Sequence, residues 1–227
     1  MASFFITATG TGVGKTLTTC SLAWQLRLEG KSVTALKPVI SGYDPADAGN
    51  DAGLILQSCG LAPTPEMMET ISPWRYRQPI APSMAAAGEG NPVELGALVG
   101  FCREHAALES DIVLVEGVGG VMAPLNDQTT VLDWMAALNW PVLLVAGGYV
   151  GTISHTLTAV AALASRGLKP AAIILSESDE RTVPLMLTAA TLEKFLPDSV
   201  PLVKIPRVGQ KIEPWKHTPP IGWLCGQ

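Results

Sequence analysis

The chain has 227 residues, 48% hydrophobic and 15% charged, with 15 Lys and Arg against 20 Asp and Glu for a formal charge of −5. That length suits one α/β domain with a substantial core, so residues 1–227 are read as a single domain. The acidic balance, with no basic cluster, argues against a nucleic-acid partner, and the longest apolar runs, such as Val142–Ala146, are too short to cross a bilayer.

In chain order, short apolar runs alternate with helical patterns. Strands are predicted at Ser3–Thr7, Ser32–Leu36, Asp111–Val115, Val142–Ala146, Ala171–Leu175 and Pro201–Ile205. Helices are predicted at Lys15–Glu29, Ala48–Ser58, Pro92–Leu108, Val131–Ala137, Thr152–Ser165 and Val183–Phe195, with Gly30 and Gly167 where C-terminal caps belong. Strands without polar alternation, separated by helices, give a parallel sheet covered on both faces. The first run follows no basic segment and is cut short by Thr7, so it reads as a strand and not a signal peptide. Leu61–Asn91, rich in Pro and Ala, is expected to leave the sheet as an ordered excursion. The tail after Pro206 is expected to be irregular and packed on the surface. Cys20, Cys59, Cys102 and Cys225 contain no C-x-x-C pair and fit reduced thiols of a cytoplasmic protein.

Chemistry is expected just beyond the strand ends, where ligands sit in such sheets. After the first strand comes Thr7-Ala8-Thr9-Gly10-Thr11-Gly12-Val13-Gly14-Lys15-Thr16, then a helix. Glycines let successive N–H groups converge on one cavity, and the helix N-terminus adds positive potential. Lys15 can reach β- and γ-phosphates, and the Thr16 hydroxyl can ligate Mg²⁺. The phosphate-loop pattern G-x-x-x-x-G-K-[ST] asks for glycine at position 9, where this chain has Thr9.

After the second strand, Pro38 holds Lys37 extended. Lys37 then either meets charge on a transferring phosphoryl group or snorkels at the surface. Asp51 opens a helix, either as a plain N-terminal carboxylate or as a Mg²⁺ ligand. The buried run Val113-Leu114-Val115 delivers Glu116, followed by Gly117-Val118-Gly119-Gly120. An acid at the end of such a strand completes a Mg²⁺ site with the loop hydroxyl. In Gly147–His155, Thr152 or Ser154 reads locally as an N-cap, and His155 as a packing or capping residue.

Together, Thr9–Thr16, Lys37-Pro38-Val39-Ile40-Ser41-Gly42, Pro82-Ser83-Met84-Ala85-Ala86, Val115–Gly120 and Gly151–His155 resemble the dethiobiotin synthetase family in order and spacing along nearly the whole chain. The resemblance implies a P-loop NTPase-like three-layer α/β fold with a mostly parallel sheet. It implies a cytoplasmic homodimer with substrate sites at the interface. The reaction implied is ATP- and Mg²⁺-dependent ring closure of 7,8-diaminononanoate with CO₂ or bicarbonate, through a carbamate and a carbamic–phosphoric anhydride, releasing ADP and phosphate.

Carried over by position, Lys15 and Lys37 stabilise the phosphoryl group and the carbamate. Thr16, Asp51 and Glu116 hold Mg²⁺. Nucleotide contacts fall to Gly12, Val13, Gly14, Lys15, Thr16, Leu17, Asp51, Glu116, Gly117, Val118 and Gly119, and further to Ser176, Glu177, Pro206, Arg207, Val208 and Glu213. Thr11, Lys37 and Ser41 contact the diamine, and the partner's Tyr149 and Ser154 its tail carboxylate. The chain departs from the family's acidic residues at Gly10 and Gly12, and from its asparagines at Ser154 and Ser176. A switch ATPase of the partitioning type is the alternative, disfavoured because Ala8-Thr9-Gly10-Thr11 lacks that group's extra lysine. Another amidoligase or a small-molecule kinase on the same fold is a further alternative.

Overall fold

A computed structural model describes residues 2–47, 49–178, 183–209 and 211–226. Its centre is a six-stranded sheet of β1 (Ala2–Ala8), β2 (Val33–Leu36), β5 (Ile112–Glu116), β6 (Val142–Gly147), β7 (Pro170–Ser176) and β8 (Leu202–Ile205). The strand order is β2-β5-β1-β6-β7-β8, and every pair is parallel. Helices α1 (Lys15–Leu28), α5 (Leu95–Ala106), α6 (Val131–Leu138), α7 (Thr152–Ser165) and α8 (Leu185–Leu192) connect these strands. All six predicted strands and all six predicted helices are present, within a few residues at each end.

The core explains the order. The central strands β5 and β6 are buried along their whole length, as continuous apolar runs require of strands covered on both faces. Phe5 of β1 meets Trp134 of α6 edge to face, with ring centroids 4.7 Å apart. The glycines expected past the helix ends do close α1 and α7. Gly30 and Lys31 N–H groups return to Arg27 and Leu26 carbonyls, and Gly167 and Leu168 return to Ala164 and Leu163.

The excursion holds more structure than composition revealed. It contains β4 (Trp74–Tyr76), α3 (Pro65–Ile71) and α4 (Pro82–Glu89). β4 pairs in parallel with β3 (Val39–Ser41), forming a separate ribbon beside the sheet. The helix expected from Ala48 begins instead as α2 (Asp51–Ser58). Asp44 and Asp47 side chains bind their own backbone two residues on, which holds the chain in turns until Asn50 caps the helix. Ala48 itself lies outside the described residues. The tail is not wholly irregular, because 3-10 turns form at Pro214–His217 and Gly222–Cys225.

β1 lies between β5 and β6, so the order of connection reverses around it. The crevice beyond its C-terminal end is where this topology places a ligand. Ile6 pairs with Glu116, which sets the acid of β5 beside the start of the glycine-rich loop.

Candidate active site

The loop from β1 enters α1 through Gly14, the helix N-cap, at φ 102°. A side chain there is strained by the backbone, and its Cβ would lie 2.6 Å from Ser176 Oγ. The Lys15 ammonium donates to the carbonyls of Gly10 at 3.0 Å and Gly119 at 2.7 Å, so one lysine ties the loop to the segment after β5. Gly119 can aim its carbonyl this way because it sits at φ 61°. Burial first, then the neighbouring Lys37 charge, push Lys15 down to about 8, against the pull of Glu116 and Asp51.

Lys37 is 2% exposed, which overturns the reading of a snorkelling surface lysine. Its Nζ lies 2.7 Å from Glu116 Oε1, 2.8 Å from the Gly117 carbonyl and 3.4 Å from Asp51 Oδ2. Burial alone would depress this lysine, but the Glu116 carboxylate, then that of Asp51, outweigh it and hold Lys37 above its ordinary value. The same contact with Lys37, aided by Thr16, overcomes burial at Asp51 and holds that carboxyl below its ordinary value. Ser72 Oγ fixes the backbone here by donating to the Lys37 carbonyl.

The Thr16 hydroxyl lies 2.8 Å from Asp51 Oδ1 and 3.1 Å from Glu116 Oε1. Asp51 stands in the first turn of α2 and also faces the loop, so it is more than a plain N-terminal carboxylate. Glu116 is 0% exposed, and its Oε2 has no hydrogen-bond partner among the described residues. Such an oxygen is expensive to bury alone. With Thr16 and Asp51 it offers hard oxygen donors of the kind Mg²⁺ takes, leaving further positions to phosphates and water. No cluster of three His, Cys, Asp or Glu stands among the described residues, so a cation here depends on ligand oxygens as well.

Two cavities open on this loop, with Thr11, Gly12, Gly14 and Leu17 lining both. The first, about 690 Å³, holds Lys15, Thr16, Lys37, Ser41, Asp51, Val118 and Gly119. Ser41 Oγ is buried there without a partner among the described residues. Glu116 lies beneath, and Gly117 supplies its carbonyl to Lys37. The second, about 650 Å³, is bounded by Val13, Tyr149, Ser176, Glu177, Pro206, Arg207 and Val208. Glu177 accepts the Arg207 main-chain N–H at 2.9 Å, which joins the ends of β7 and β8.

Some expected residues stand apart. Ser154 is exposed on α7 and lines neither cavity, and Glu213 pairs with Lys216 while its neighbour Pro214 reaches the second cavity. The N-cap of α7 is Gly151, not Thr152 or Ser154. Thr152 is instead buried and donates to the Gly147 carbonyl. His155 Nδ1 meets the Tyr149 hydroxyl at 2.8 Å. Ala123 of the first cavity, Ser178, Gly209 and Pro214 of the second, and Pro79, Ile80 and Ala81 of the excursion were not foreseen, because no motif marks them. Only the Pro82-Ser83-Met84-Ala85-Ala86 motif pointed to this segment.

A parallel sheet with this loop after its central strand, and a lysine and hydroxyl opening the next helix, defines a P-loop nucleotide-binding protein. A family model described as an AAA domain matches residues 2–211. The ATP-dependent dethiobiotin synthetase BioD of Acidiphilium cryptum is 45% identical over 207 residues, 90% of this chain and 93% of that protein. The BioD protein of Caulobacter vibrioides strain NA1000 is 47% identical over 180 residues, covering 78% and 81%. The chain belongs to the ATP-dependent dethiobiotin synthetase family. Among solved structures, the MinC:MinD complex of Aquifex aeolicus superposes with a TM-score of 0.56 at 13% identity, covering 96% of this chain and 86% of that one. The signal recognition particle receptor FtsY of Elizabethkingia anophelis also gives 0.56, at 17% identity, with 94% of this chain matched to 61% of its own. These likenesses establish the fold alone.

Proposed function

We propose that the chain is an ATP-dependent dethiobiotin synthetase, a single C–N-forming ligase domain over residues 1–227 that converts 7,8-diaminononanoate and CO₂ to dethiobiotin with release of ADP and phosphate. The observation that carries this is Lys37, fully buried against Glu116 and facing the same cavity as Lys15 and Thr16. A phosphate loop alone serves many reactions. A second buried lysine in the loop's cavity suits one in which an anionic carbamate oxygen must approach an anionic phosphoryl group.

In the proposed sequence, one substrate amine adds to CO₂, giving a carbamate and a proton. A carbamate oxygen attacks the γ-phosphorus of ATP and expels ADP. The second amine, as the free base, then attacks the carbonyl of the mixed anhydride, expels phosphate, gives up one proton to the departing phosphate and closes the ring. Lys15 exchanges its carbonyl partners for phosphoryl oxygens, which requires no carboxylate to be displaced. Lys37, held charged by Glu116 and Asp51, offsets the charge of carbamate and phosphoryl oxygens as they meet. Thr11 and Ser41 orient the diamine or its carbamate. Thr16, Asp51 and Glu116 would hold Mg²⁺, which when bound neutralises charge on the terminal phosphates.

The second cavity takes sugar and base, with Ser176 and the Pro206–Val208 segment as its wall. We place the substrate's tail carboxylate at the partner's α7 N-terminus in a homodimer, with the enzyme in the cytoplasm. The absence, among the described residues, of any helix long and apolar enough to span a membrane is compatible with that location. The reading is tested by incubating the protein with ATP, Mg²⁺, the diamine and ¹³C-bicarbonate. Mass spectrometry should find one labelled carbon in dethiobiotin; unlabelled product, or none, overturns the proposal.

A further inference from the structure

Gln25 lies half-buried on α1, eight residues or about 12 Å along the helix from Leu17 of the shared cavity wall. Its single amide makes four contacts with the C-terminal tail. Nε2 donates to the Pro219 carbonyl at 2.9 Å and to Thr218 Oγ1 at 3.3 Å. Oε1 accepts the N–H groups of Ile221 at 2.7 Å and Gly222 at 2.9 Å. Turning the amide over would set N–H against N–H and carbonyl against carbonyl, so the arrangement is unambiguous.

The tail thus runs along α1 in the helix direction. At its start, Pro214 lines the sugar-and-base cavity and Trp215 is buried, 2% exposed. At its end, Gly222 lies against α1, where an added Cβ would stand 3.5 Å from Gln25 Cβ, in ordinary contact with the helix. The step into the turn is made by Glu213 at φ 54°, a conformation uncommon outside glycine that persists where the surroundings impose it. The helix that carries Lys15 and Thr16 at one end therefore also holds, through Gln25, the segment that walls the far side of the nucleotide cavity.

We propose that Gln25 is a positioning residue for the nucleotide, acting through the tail: it fixes Pro214 at a set distance from the phosphate loop. The inference rests on reading this cavity as the seat of the nucleotide's sugar and base. It predicts an effect that depends on which part of the ligand is present. Pyrophosphate needs only the loop, whereas ADP also needs the far wall.

The test is calorimetric titration of the whole protein and its Gln25→Met and Gln25→Ala variants with ADP and with inorganic pyrophosphate. Methionine keeps the side-chain volume and loses all four contacts, so it remains informative should alanine fail to fold. ADP should bind about tenfold more weakly to Gln25→Met, the net worth of about one hydrogen bond, with pyrophosphate within about twofold of wild type. Unchanged ADP affinity with only a lowered melting temperature overturns the inference and leaves the cavity assignment standing. Equal weakening of both ligands also overturns it, since that locates the effect in α1 itself. If the wild-type protein binds pyrophosphate but not ADP, the cavity assignment falls and the inference falls with it.

Discussion

The two cavities that share the phosphate loop are built on different principles. The one holding Lys15, Thr16, Lys37, Asp51 and Glu116 is made of charged side chains set by strand ends and helix starts. The one holding Ser176 and Pro206–Val208 is made mostly of backbone, small residues and a tail held by Gln25. Charge is costly to bury, so the first cavity tolerates few substitutions. Backbone walls survive changes of side chain, so the second tolerates more. Side-chain removal should therefore damage turnover on the first side and shift affinity modestly on the second.

The largest effect is expected from Lys37→Ala. It should lower turnover about a thousandfold, some 4 kcal/mol of transition-state stabilisation, while ADP affinity stays within a few-fold of wild type. Steady-state phosphate release beside a calorimetric titration separates the two quantities. Normal turnover would erase the contrast between the cavities. Next comes Gly14→Ala, which forces a side chain into φ 102° and against Ser176 Oγ. A loss of about 1–3 kcal/mol in stability and at least about tenfold in ADP affinity is expected, seen by thermal melts and titration. Pairing it with Ser176→Gly should recover part of the loss, since the clash goes and the backbone strain remains.

A pH dependence belongs to the loop itself. Lys15 titrates near 8 in the free protein, below its ordinary 10.5, and bound phosphates would raise it. ADP titrated without divalent ions should bind with near-constant affinity between about pH 7, where its terminal phosphate is ionised, and about pH 8, and lose up to about tenfold per unit above that, as free Lys15 gives up its proton. For stability the sign is opposite to that of a paired lysine. The lowered value means the charged form costs folding energy below about 8, and the fold gains as pH rises from there toward 10.5. The smallest effect is expected from Ser176→Ala: less than about threefold in ADP affinity, because one wall hydroxyl is removed while the backbone that shapes the wall stays. A loss of a hundredfold there would mean the second cavity is as side-chain-dependent as the first.

This contrast also governs how much was legible beforehand. The strands and helices of the main sheet follow from apolar runs and capping glycines, and α7 begins and ends where its pattern does. Lys15, Thr16, Lys37 and Glu116 stand at strand ends or just after them, so topology brings together residues far apart in the chain. The excursion was opaque because β3 and β4 are three residues each and pair with each other rather than with the sheet. Strands that short carry no period to read. The burial of Lys37 depends on Glu116, 79 residues away, a partner no local pattern reveals. The Gln25 clamp spans nearly two hundred residues, and a lone glutamine on a helix has no sequence signature.

The central claim is that the loop's ATP is spent only on a carbamate made from the diamine. The most direct measurement is phosphate release from ATP with Mg²⁺, comparing the complete mixture with mixtures lacking the diamine or bicarbonate. Release confined to the complete mixture is the predicted result. Release equally fast without the diamine would contradict it.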